Sequence, residues 1–150
     1  MPEVLEIKDA DRHGVLTVDL VRLLDLLGPE GEQLSWRILE LEASGDLSRL
    51  GRTVQSLEIE VRNSKNGLPI TWSDLVILAR TLSQVINTKI TGYRGELADS
   101  QSSGVQDLYN TCEIILEAID SSLWRIYVRD RKVGDRLRAA FRDVSVHQVP

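Results

Sequence analysis

Two stretches of the chain space their carboxylates in a way that chemistry can use. The segment DADRHGVLTVDL, residues 9–20, imitates the loop of an EF-hand calcium site. Asp9 and Asp11 take its first and third positions, Gly14 the sixth and Thr17 the ninth. The twelfth position needs a carboxylate that binds through both oxygens, and Leu20 stands there instead. His13 is a poor ligand for a hard cation, and Asp19 falls one residue early. The segment is expected to form hydrated Asp turns leading into a helix cap, with no metal.

The second set is two glutamate pairs, Glu40 with Glu42 and Glu113 with Glu117. On strands they stand about 6.6 Å and about 13 Å apart. Carboxyl pairs that hydrolyse sugars stand roughly 5–9.5 Å apart, so only Glu40 and Glu42 meet that distance. Alternating glutamates on a solvated strand face explain both pairs without catalysis. The two histidines, His13 and His147, lack the neighbouring ligands that zinc requires. Cys112, the single cysteine, reads as a small buried hydrophobe on the face of a strand with Ile114, Leu116 and Ala118, since no histidine is near to activate it. Phosphate-cradling, nucleophile-elbow and metalloprotease motifs are missing. No catalytic residue, metal or cofactor is expected.

Trp36 shares a strand face, by strict alternation, with Glu40 and Glu42. A tryptophan on an acidic face is what a binding surface looks like; a twist or bulge that buries Trp36 is the equal alternative. Trp124 lies with Ile126 and Val128 and is expected in the core.

These side chains need elements to hold them. Residues 1–15 are compatible with either a short strand at 4–7 or a loose arm. Thr17 precedes the apolar stripe Leu20, Val21, Leu23, Leu24 and Leu27, predicting a helix capped at Thr17 and stopped by Gly28-Pro29. SWRILELEA alternates as a strand, and Leu47, Leu50, Val54, Leu57 and Val61 repeat as a helix. Another helix starts at Thr71 or Ser73, with Asp74 three residues after Thr71 in a capping-box-like arrangement, followed by a short strand near 86–91. Residues 95–106 are polar and predict an exposed loop. Two strands then flank Asp120-Ser121-Ser122 as a hairpin. A final helix covers 130–142, with Val133, Leu137, Ala140 and Phe141 on one side. This is one α+β domain over 1–150: a two-layer sandwich with a mainly antiparallel sheet of four or five strands and about four helices.

The whole carries a net charge of −5. Residues 1–47 hold eleven acidic against four basic side chains. An acidic chain repels polyphosphate, so nucleic acid is disfavoured as a partner. The basic stretch 125–142 is interleaved with Asp130 and Asp135 and reads as a helix with internal ion pairs. No signal peptide and no membrane-spanning run are apparent, so a cytoplasmic location is expected.

The segments WRILELEASGDL, LPITWSDLVILARTLSQVINTKITGY and AIDSSLWRIYVRD resemble small bacterial proteins similar in appearance to the immunity proteins of toxin systems. The similarity spans about residues 20–145 and transfers no binding residues. It implies a compact acidic protein that blocks a basic toxin domain by occluding its surface. The expected function is a non-catalytic protein-binding module using Trp36, Glu40, Glu42, Glu113 and Glu117 with the 95–106 loop. The alternatives are a self-associating accessory protein, such as a homodimer, and a small enzyme whose site gathers residues such as Tyr93, Asp120, Arg125, Tyr127 and Glu40.

Overall fold

The computed structural model describes residues 2–13, 16–95 and 105–148. The elements run β1 (Glu3–Ile7), α1 (Leu20–Glu32), β2 (Ser35–Gly45), a 3₁₀ turn at Ser48–Leu50, α2 (Val54–Asn63), β3 (Leu68–Ile70), α3 (Trp72–Thr81), β4 (Leu82–Tyr93), α4 (Val105–Thr111), β5 (Ile114–Ile119), β6 (Leu123–Val128), α5 (Arg131–Ala140) and β7 (Val144–Gln148). The fold is α+β, with one antiparallel sheet in the order β3-β2-β4-β5-β6-β1-β7. Seven strands and five helices among the described residues exceed the four or five strands and about four helices expected.

The additions are short elements. β1 settles the choice left open for residues 4–7: it lies inside the sheet between β6 and β7, with Leu5 and Ile7 fully buried. β3 holds three residues, one of them Pro69, whose missing N–H confines it to an edge. β7 is the opposite edge. The helix α4 overlaps the end of the expected 95–106 loop; residues 96–104 of that loop lie outside the described residues.

Caps decide the helix ends. The cap of α1 is Asp19, which accepts from Arg22 N at 3.0 Å, and not Thr17, whose backbone N–H instead donates to Asp9 O. Gly28-Pro29 kinks α1 without ending it: Gly28 takes a left-handed φ of 52°, and helix resumes to Glu32. The expected helix through Leu47–Val61 is two pieces, parted at Gly51, with Thr53 and Ser56 forming the capping box of α2. Of the two starts open to α3, Thr71 is the cap, accepting from Asp74 N at 3.1 Å.

α1, α2, α3 and α5 pack their buried residues into one large cluster on one face, here the inner face. Its centre is a single row that crosses all seven strands at one register: Leu68, Ile38, Ile90, Leu116, Ile126, Leu5 and Val146. The five central members are at most 1% exposed, whereas Val146, at the β7 edge, is 47% exposed. On the outer face α4 covers a smaller cluster: Val4, Leu108, Cys112, Ile115 and Tyr127. Cys112 thus sits opposite Leu116, because α4 runs to Thr111, β5 begins only at Ile114, and the expected strand parity is lost. Burial pushes the Cys112 thiol pKa up. Among the described residues no helix is long and apolar enough to cross a membrane.

Candidate functional site

Trp36 is 2% exposed and belongs to the core, which removes it from the surface set. The reason is a bulge. The pairing of β2 with β4 slips between Ile38 and Glu40, so Leu39 and Glu40 together stand against Lys89 and Glu40 faces away from the side of Ile38. Trp36 and Ile38 face the core, while Glu40 and Glu42 face out. A glycine makes the slot. Trp36 stands opposite Gly92 in the register, and a β-carbon on Gly92 would come within 3.0 Å of its ring. Its Nε1 donates to Gly31 O at 2.9 Å, and its ring tilts against Trp72 with centroids 5.6 Å apart. The glycine that makes room for Trp36 lies on a different strand, so alternation within β2 alone could not reveal the burial.

The four glutamates separate. Glu113 lies at the end of the sheet, 3.6 Å from Arg94. Glu117 and Glu40 belong to one cross-strand row on the outer face. The register aligns Glu40 on β2, Lys89 on β4, Glu117 on β5, Arg125 on β6, Glu6 on β1 and Ser145 on β7. The signs alternate along it. Lys89 Nζ stands 3.8 Å from Glu117, and Arg125 bridges Glu117 at 3.5 Å and Glu6 at 3.1 Å. His147 extends the row, 3.2 Å from Glu6. Opposite charges facing one another across strands satisfy each other. Local sequence spacing did not show this row, because its members come from six different strands.

Glu40 is the exposed acidic end of that ladder. β3 covers β2 only from Trp36 to Ile38, so from Leu39 onward no strand among the described residues pairs with β2 on that side. There a groove opens between β2 and α2, lined by Leu39, Glu40, Leu41, Glu42, Glu58 and Arg62 among others. Asn87 closes it and holds Glu42, donating from Nδ2 to Oε1 at 3.2 Å. Asn87 also accepts from Asp120 N at 2.9 Å, which ties the β5–β6 turn to the groove. In that turn Asp120 and Ser121 adopt φ of 50° and 55°. Three carboxylates against one guanidinium make the groove acidic. They do not gather tightly: among the described residues no three His, Cys, Asp or Glu side chains are grouped to hold a metal ion.

The residues named for an enzyme converge only in part. Arg125 and Tyr127 line a crevice under α4 with Lys89, Tyr109 and Glu117. Their polar atoms are committed to one another: Tyr127 OH donates to Tyr109 O at 2.8 Å, and Arg125 holds its two glutamates. Asp120 and Tyr93 lie elsewhere; the Tyr93 hydroxyl accepts from Arg37 Nε at 2.8 Å. In the calcium-like segment the Asp9 carboxylate accepts the backbone N–H groups of Arg142 and Asp143 at 2.7–3.1 Å, anchoring the entry to β7. The basic stretch is scattered: Arg136 pairs with Glu30 at 2.9 Å, Arg138 with Glu3 and Asp135, and Arg129 with the carbonyls of Tyr109 and Asn110.

No family model matches the chain, and no curated protein or solved structure is significantly similar to it.

Proposed function

We propose that the chain is a non-catalytic protein-binding module whose recognition surface is the acidic groove between β2 and α2. The observation that supports it most is the position of Glu40 and Glu42. Both are exposed at a sheet edge left open past Ile38, and Glu58 adds charge from α2. A basic partner would be steered to that edge. Its contacts would be side-chain contacts, since the bulged strand is poorly shaped to accept a further strand. The immunity-type reading, occlusion of a basic toxin domain in the cytoplasm, is the specific form of this proposal.

Capture from a bacterial lysate at low salt tests it, comparing the wild-type chain with Glu40→Lys/Glu42→Lys. A basic protein retained by the first, released by salt and lost from the second supports the groove. Equal retention by both chains overturns it.

A further inference from the structure

The two ends of the sheet are finished differently. We infer that β7 pairs antiparallel with β7 of a second copy of this chain, joining two sheets into one across a two-fold axis at Val146. The inference is independent of the acidic groove, which lies at the far end of the sheet order.

Four observations carry it. First, β7 lacks the usual guards of an edge strand. VSVHQ holds no Asp, Glu, Lys, Arg or Pro, and its five pairs with β1 run without a bulge. The opposite end has a three-residue strand containing Pro69, three register slips in β2 and α2 alongside.

Second, the free hydrogen-bonding groups match a two-fold. Lys8 N donates to Asp143 O at 2.9 Å, one step beyond the Ile7–Val144 pair, which marks that position as the hydrogen-bonded type in the β1–β7 ladder. Alternation then assigns the backbone groups of Ser145 and His147 to β1 and turns those of Val144, Val146 and Gln148 outward. An axis at Val146 sets Val146 against itself and Val144 against Gln148 of the partner subunit. All three outward-facing residues are thereby used on both chains.

Third, the inner apolar row explains the side chains. It runs buried from Ile38 to Leu5 and ends in the open at Val146, 47% exposed and one of two large hydrophobic side chains so exposed among the described residues. Self-pairing covers Val146 with its own copy and continues the row through both sheets.

Fourth, charge does not oppose the contact. The edge is free of formal charge, and on the outer face Ser145 would stand beside His147 of the partner subunit, two groups that already hydrogen-bond within one chain at 3.2 Å. A single five-residue strand makes an interface at the small end of the specific range, below about 1,200 Å². The dimer is therefore reversible.

Sedimentation velocity on the full chain, from about 1 µM to about 1 mM, tests this directly. The mass of the wild-type chain is expected to rise from 16.9 kDa toward twice that value. Val146→Pro should stay at 16.9 kDa throughout and melt like wild type, because the N–H it removes is not bonded to β1. Val146→Lys should do the same and covers the case in which the proline variant fails to fold. Register is checked by mixing Ser145→Cys with His147→Cys chains under oxidation. The mixed disulfide dimer should predominate over either variant alone, since these positions face across a closely spaced pair about 4.5 Å apart at Cα. A wild-type chain that stays monomeric at the highest concentration, a Val146→Lys chain that dimerises as well as wild type, or cross-linking without preference for the mixture overturns the inference.

Discussion

Leu116 and Glu117 are neighbours on β5, and each belongs to a row that crosses the sheet. The Leu116 row is buried hydrocarbon on five adjacent strands. The Glu117 row is alternating charge at the surface. One residue of displacement separates two regimes, because side chains of a strand alternate between faces. The inner row contributes stability through burial, at roughly 1.5–3 kcal/mol per large side chain. The outer row contributes little stability, since partly exposed ion pairs are worth about 0–1 kcal/mol. What it supplies is a pattern of charge whose last acidic member, Glu40, opens onto the groove.

If that division holds, truncation of the inner row has the largest effect. Leu116→Ala, with Leu116 fully buried, should lower unfolding free energy by about 2–5 kcal/mol in a denaturant titration. Overpacking the tryptophan slot comes next. Gly92→Ala places its methyl 2.9 Å from Ile114 and 3.0 Å from Trp36, and should cost about 1–3 kcal/mol by the same measurement. In the outer row, Glu117→Gln removes the charge that Lys89 and Arg125 share. It should cost less than about 1 kcal/mol, and the difference from wild type should shrink as salt is raised. A loss as large as that of Leu116→Ala would erase the distinction between the rows.

The smallest effect is expected from pH between the helices. The hydrogen bond from Arg136 holds the Glu30 pKa below its usual 4.5. A carboxyl depressed in the folded state contributes stability above its unfolded pKa and loses it as pH falls through the folded one. Wild type should therefore exceed Glu30→Gln in melting temperature at neutral pH by a small margin, and the margin should vanish in acid. Calorimetry across that range reads it.

The parts of the fold set by neighbouring residues were legible in the sequence: β2, the start of α3 to within two residues, the hairpin around Asp120-Ser121-Ser122 and the inward Trp124. What was not legible depended on pairing over distance or on a single displaced residue. The bulge after Ile38 reverses the assignment of Trp36, and no local pattern separates a bulged strand from a regular one. β3 and β7 are too short, and the latter too exposed, to show a buried periodicity. Of the residues proposed for binding, Glu40 and Glu42 share the groove, Glu117 lies inside the ladder, Glu113 sits at the sheet end, and Trp36 is core. The ladder was invisible because adjacent charges in it are separated by up to 119 residues in sequence.

The groove can be challenged most directly by titrating the ¹⁵N-labelled chain with an arginine-rich peptide at low salt and following amide shifts. The expected result is perturbation concentrated at residues 39–42, 58–62 and 87, abolished in Glu40→Lys/Glu42→Lys. Shifts spread evenly over the other acidic residues, or unchanged by that double substitution, would contradict the assignment of recognition to the open edge of β2.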